Sequence, residues 1–270
     1  MESDGATVLP EGLTLEGLFS QNGYRATMAL KRLRPEKYFA NDGPVEIVKQ
    51  RSALLSTHPQ DFVCEPPMEE DCAAVAQFAG CFAEVGPAHT FRELGAVWEP
   101  DFVLLHRPGE VIGGCVCFPT GWNLEEKLGH AQGHALSFAH APVPGLNSLL
   151  GPSVERFFVH LKAGECYQRS NWSLTGSRQM NQRPQDNIAE LGPNCDPART
   201  FLRVEWQALM LIDPSRVIFG IRIYHLTLES VRLQRGAAQL LGENLQTMPE
   251  KMLRYKRLNG CRDRIVELLR

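Results

Sequence analysis

Hydrophobic residues recur along this chain with two periods, and the change of period divides it into helices and strands. Residues 68–84, MEEDCAAVAQFAGCFAE, open with acids and then place apolar side chains three and four apart, which predicts a helix. VEIVKQRSALL (45–55) predicts another, led in by a short segment at 28–39. From residue 101 the pattern changes. DFVLLHR (101–107) and VIGGCVCFP (111–119), rich in β-branched residues and separated by Pro108-Gly109, predict a hairpin. Helical spacing returns at 123–130 and at about 146–163, where Val154, Phe157, Phe158 and Leu161 share one side. A short strand is expected at 169–174, followed by a long surface loop at 175–199, rich in Gln, Asn, Pro and Gly. FLRVEWQALMLI (201–212) and RVIFGIRIYHLTL (216–228), joined at Asp213-Pro214-Ser215, predict a long antiparallel hairpin. Helical patterns at about 229–246 and 249–269 finish the chain.

About five strands in hairpins, with helices between the first pair and the last, predict an α+β fold around one antiparallel sheet. Such a sheet keeps one face for helices and can offer the other to a flat ligand. Residues 1–23 carry no periodic pattern and are expected to form a flexible lead, leaving 24–270 as a single domain. Composition changes this picture little. At 43% hydrophobic and 22% charged residues, the chain has the make-up of a soluble globular protein. A net charge of -3 gives no electrostatic reason to expect nucleic acid or an anionic membrane as partner. No apolar run reaches the roughly 18–20 residues needed to span a bilayer. The N-terminus is acidic where a secretory leader needs a basic stretch, so a cytoplasmic location is expected. The eight cysteines form no CxxC pair, which leaves free buried thiols as the default.

Three groups of residues could carry chemistry. His130, His134 and His140 fall within eleven positions, the last just before APVP, where Pro142 and Pro144 stop any helix. An imidazole held against so stiff a segment can aim its lone pair at a metal or a haem iron, or simply cap a helix. A three-histidine zinc site is geometrically poor, because His140 would be rotated off the face shared by His130 and His134. Next, RSNW (169–172) puts Arg169 and Asn171 on one side of its strand. A buried guanidinium there needs an anion, either a carboxylate of the protein or one of a ligand. Finally, Arg203, Glu205 and Gln207 alternate along one strand, and Arg222 and Tyr224 along the next. Polar rows on apolar strands line either solvent or a pocket, and Glu205 could meet an ammonium or move a proton.

At this point a resemblance enters. FPTGW, EEKLG, HAPVPG, RSNW, LRVEWQAL, VIFGIRIY and PEKMLRYK occur in the order found in the haem-dependent oxidative N-demethylase alpha subunits, and YRATMALKRL near the N-terminus also fits. The family includes the haem subunit of dimethylamine monooxygenase. The resemblance implies a PAS-like sheet binding haem b, with His140 as the axial ligand and dioxygen activated at the iron. It implies oxidation of a small secondary amine, dimethylamine-like, to a primary amine and formaldehyde. The chain has no flavin, nicotinamide or iron–sulfur motif, so electrons would come from a separate NADPH-dependent reductase. If haem sits on this sheet, Arg169, Arg203 or Arg222, with Asn171, are candidates to meet its propionates. Glu205 or Tyr224 would face the distal side. Trp206 and Ala208 depart from the family's ERQTL pattern, which leaves the particular amine open. The alternative is a PAS-like haem sensor or ligand-binding module without turnover.

Overall fold

The computed structural model describes residues 9–107, 109–128 and 143–270. The clustered histidines His130, His134 and His140, and Pro108 of the expected turn, therefore lie outside the described residues. In chain order the elements are β1 (Lys31–Leu33), α1 (Glu36–Phe39), α2 (Val45–Thr57), β2 (Val63–Cys64), α3 (Glu69–Gly80), α4 (Phe91–Val97), β3 (Asp101–His106), β4 (Glu110–Cys115), α5 (Leu146–His160), β5 (Cys166–Thr175), β6 (Phe201–Leu211) and β7 (Arg216–Thr227). Four helices follow: α6 (Leu228–Arg232), α7 (Arg235–Thr247), α8 (Glu250–Tyr255) and α9 (Arg262–Leu268). The strands form one sheet in the order β1-β5-β6-β7-β3-β4-β2, and every neighbouring pair is antiparallel. The fold is α+β, as the pattern predicts. Seven strands replace the expected five because β1 and β2, of three and two residues, are too short to show a period.

Helix α4 is the other addition. Thr90 caps it, its Oγ1 accepting from the Glu93 N–H at 3.1 Å, while the Glu93 carboxylate accepts from the His89 N–H at 2.7 Å. At Gly95 a Cβ would lie 2.3 Å from Cys115 Sγ, so the missing side chain lets α4 rest on β4. The two C-terminal helical patterns resolve into four helices. Pro249 ends one run and caps α8, and Arg257 at φ +55° closes α8 in the left-handed region. The described part of the expected flexible lead is tied down. Leu15, Leu18 and Phe19 are buried, Asn244 Nδ2 donates to the Ser20 carbonyl at 2.8 Å, and the Tyr24 N–H reaches Thr247 Oγ1 at 2.8 Å. Among the described residues, no helix is long and apolar enough to cross a membrane.

Pairing decides the two faces. On β6 the even residues Leu202 and Val204 join Trp172, Leu226 and the C-terminal helices, while Trp206, Ala208 and Met210 join Tyr38, Phe39, Trp98 and Phe102. This face is covered by helices. On the odd face, Leu209 and Leu211 pack with Val103, Leu105, Val217, and Phe158 and Leu161 at the end of α5. Beyond them the same face turns polar, through Gln207, Glu205 and Arg203.

Candidate functional site

Three rows of paired residues make up the polar half of that face. Arg169 pairs with Gln207 and Gln207 with Ile221; Asn171 with Glu205 and Glu205 with Ile223; Ser173 with Arg203 and Arg203 with His225. Side chains of paired residues share a side of the sheet, so these nine converge.

Arg203 is fully buried, and it is a staple. Its Nε donates to Thr120 Oγ1 at 2.8 Å, and Nη2 to the carbonyls of Phe118 (2.9 Å), Pro119 (3.2 Å) and Met180 (2.9 Å). Nη1 faces the Gln179 carbonyl at 3.5 Å and His225 Nε2 at 3.1 Å. A guanidinium is donor-only, so His225 must accept through Nε2 and carry its proton on Nδ1. Burial pulls Arg203 down to about 10, still charged at neutral pH. Burial, with the positive charges of Arg203 and Arg178, lowers His225 to about 3. All of these Arg203 contacts are to neutral acceptors.

Glu205 is the buried anion beside it, 8% exposed. Its Oε2 accepts from Gln207 Nε2 at 2.8 Å and from Asn171 Nδ2 at 3.2 Å. Asn171 Oδ1 in turn accepts from Lys256 Nζ at 3.3 Å. Lys256, just past α8, also donates to the Trp172 carbonyl and lies 5.1 Å over the Trp172 ring. Burial brings Lys256 down to about 8; Glu205 opposes that shift and Arg169 adds to it. Burial raises the phenols of Tyr24 and Tyr255; Tyr24 feels Arg169, and Tyr255 feels Glu205. Burial also lowers Arg169, with Glu205 and Tyr24 favouring its charge. The Arg169 Nε is buried without a hydrogen-bond partner among the described residues.

The expectation that Arg222 and Tyr224 line the same pocket as Arg203 and Glu205 is corrected by the register. Arg222 pairs with Trp206 and Tyr224 with Val204, which puts both on the helix-covered face. There Arg222 Nη1 donates to Asp42 Oδ1 at 2.9 Å, and Nη2 meets the Ala40 carbonyl and Glu99 Oε2. Its Nε also lacks a partner among the described residues, but the guanidinium as a whole is committed to Ala40, Asp42 and Glu99. Tyr224 packs beside Trp206, their ring centroids 6.5 Å apart. Of the residues singled out from the sequence, Arg169, Asn171, Arg203 and Glu205 come together. His225, Lys256, Tyr24 and Tyr255 join them without having been singled out. Three of these four lie in YRATMALKRL and PEKMLRYK, motifs already visible in the chain.

Ile223 and Phe219 are half-buried on this face, and Arg169 Nε, without a partner among the described residues, is a donor of the kind a propionate takes. The donors fit the periphery of a haem. Among the described residues, no cluster of three or more His, Cys, Asp or Glu side chains could hold a metal ion, and the three histidines lie outside that set. The sequence profile of one family matches residues 51–266, most of the chain. Its description names a haem cofactor, an oxidative demethylation and one subunit of a larger assembly. The chain belongs to this family, the haem-dependent oxidative N-demethylase, alpha subunit-like proteins.

Proposed function

We propose that this chain is the haem-binding subunit of a monooxygenase that demethylates a small secondary amine, dimethylamine-like, to a primary amine and formaldehyde. The observation that carries the reading is the buried Glu205 carboxylate, held by two amides next to apolar Ile223 and to an Arg169 donor that has no partner among the described residues. One amine, one dioxygen, two protons and two electrons give the primary amine, formaldehyde and water. Haem b, when bound, would supply dioxygen activation, and His140 is the residue that would hold its iron. The electrons come from a separate NADPH-dependent reductase carrying flavin or an iron–sulfur centre.

The chain's own residues do the rest. Glu205 accepts an N–H from the substrate ammonium and can take its proton, exposing the amine lone pair. Gln207 and Asn171 hold that carboxylate through Oε2, and no described residue hydrogen-bonds Oε1. Arg169, with Asn171 beside it, meets a propionate. Arg203 acts indirectly, fixing the loops at 118–120 and 179–180 around the site. The departures Trp206 and Ala208 do not touch this set. Both are buried on the opposite face, where Trp206 Nε1 donates to Gln168 Oε1 at 2.7 Å. That favours turnover over a sensor that has kept only the sheet. One continuous sheet, with two short end strands outside a five-strand core, supports the single-domain, PAS-like reading.

The test is formaldehyde release from dimethylamine by the haem-loaded chain with a reductase, NADPH and dioxygen. Glu205→Gln is expected to lose turnover by about 100-fold or more while keeping its Soret band. His140→Ala should lose the band that His130→Ala and His134→Ala keep. A Soret band with no amine-dependent NADPH consumption would instead support the sensor module.

A further inference from the structure

Glu205 is joined to Lys256 through one carboxamide, and the direction of that carboxamide is set by what flanks it. At one end stands the Lys256 ammonium, which can only donate, 3.3 Å from Asn171 Oδ1. At the other stands the Glu205 carboxylate, which accepts from Asn171 Nδ2 at 3.2 Å. Reversing the amide would aim an oxygen at a carboxylate and an NH2 at an ammonium, so both contacts would fail together. Lys256 is itself anchored by the Trp172 carbonyl and ring, which leaves it little freedom to follow a reversed amide. The other charged or ionisable groups facing this chain of contacts are Arg169, Arg203, Tyr24 and Tyr255. None of them is in hydrogen-bond contact with Asn171 Oδ1.

We propose that Lys256 is a positioning residue of the amine site. By holding the Asn171 carbonyl oxygen it turns the Asn171 NH2 onto Glu205 Oε2, so that Oε1 is the oxygen presented to a cationic amine. This deepens the function proposed above and rests on it for the identity of the ligand. The positioning itself is a property of the unloaded chain. Without Lys256, Asn171 loses its reason to face one way, and the carboxylate loses a donor for part of the time.

The first test needs neither haem nor amine. Side-chain amide signals of Asn171, assigned by comparison with Asn171→Leu, are followed by nitrogen-15 NMR in the unloaded protein. They are expected to shift or broaden in Lys256→Met and to stay in place in Lys256→Arg, which keeps the donor. Should Lys256→Met fail to fold, Lys256→Gln, able to donate or accept, serves in its place. Unchanged Asn171 signals in a folded Lys256→Met protein would overturn the proposal.

The second test is calorimetric binding of dimethylammonium to the haem-loaded chain. Lys256→Met and Asn171→Leu are each expected to weaken binding about tenfold, the equivalent of about 1.4 kcal/mol. The double variant should be no worse than Asn171→Leu within about twofold, because the lysine acts through the amide. A roughly hundredfold loss in the double variant would mean that Lys256 acts on the ligand independently, and would overturn the proposal. If the wild type binds no amine while the Asn171 signals respond as expected, the proposed function fails and the positioning stands.

Discussion

Arg203→Met is expected to cost the folded protein about 3–5 kcal/mol, because several buried neutral acceptors lose their donor at roughly 1–3 kcal/mol for each one left unsatisfied. The loss is large because one guanidinium satisfies the carbonyls of Phe118, Pro119 and Met180 together with Thr120 Oγ1. Methionine fills the space but donates nothing, so those acceptors are left in a site that excludes water. For a chain of this size the melting temperature should fall by on the order of 10 °C. Arg203→Lys should recover only part of the loss, since a single ammonium cannot span both loops as the planar fork does. Thermal unfolding at neutral pH checks both variants. A melting temperature within about 2 °C of wild type for Arg203→Met would show that the network holds nothing together.

The second large effect follows from the neighbour of that arginine. His225 sits at about 3 in the folded chain against 6.5 when exposed, because burial and Arg203 disfavour its charged form. Between those values the unfolded chain binds a proton that the native site refuses. The stability His225 contributes is therefore complete above pH 6.5 and is lost as pH falls toward 3. The full difference is worth roughly 4–5 kcal/mol, and roughly 2 kcal/mol of it is gone by pH 5. His225→Gln keeps an acceptor for Arg203 but has nothing to titrate. Urea midpoints at pH 7 and pH 5 should therefore converge between the two proteins as pH falls, even if the variant starts lower. Carboxylates common to both cancel in this comparison. Parallel acid losses in the two proteins would contradict the assignment of His225 as a buried neutral acceptor.

Both effects concern residues whose roles were only half legible in the sequence. Alternation along 201–212 and 216–228 was strong enough to give β6 and β7 almost to the residue, and it grouped Arg203, Glu205 and Gln207 on one side. Alternation says which residues of one strand share a face; the pairing between strands is a separate matter, set by the turn. Counting outward from Asp213-Pro214-Ser215 pairs Leu211 with Val217, and that register carries Trp206 to Arg222. Arg222 and Tyr224 thereby fall on the helix-covered face, and Ile223 and His225 opposite Glu205 and Arg203. The signal was present, but it lay in the turn and not in the strand pattern. Lys256 and Tyr24 could not be found in that way. They reach β5 from residues 80 or more positions away, and nothing local in PEKMLRYK or YRATMALKRL says which strand each meets. The anchoring of Leu15, Leu18 and Phe19 against the C-terminal helices was hidden for the same reason. Thr90-x-x-Glu93, by contrast, was a readable start signal for α4. The helix is only seven residues long and so carries little periodicity of its own.

Haem binding at the polar half of the sheet, with Arg169 at its margin, is read by an absorption titration of the purified chain with haem. A Soret band that saturates at one haem per chain is expected. Arg169→Leu should bind haem about tenfold more weakly, the loss expected for one charge-assisted hydrogen bond, with binding partly restored in Arg169→Lys. A wild-type chain that gives no band, or an Arg169→Leu protein that titrates identically to it, would show that this face does not hold haem through Arg169.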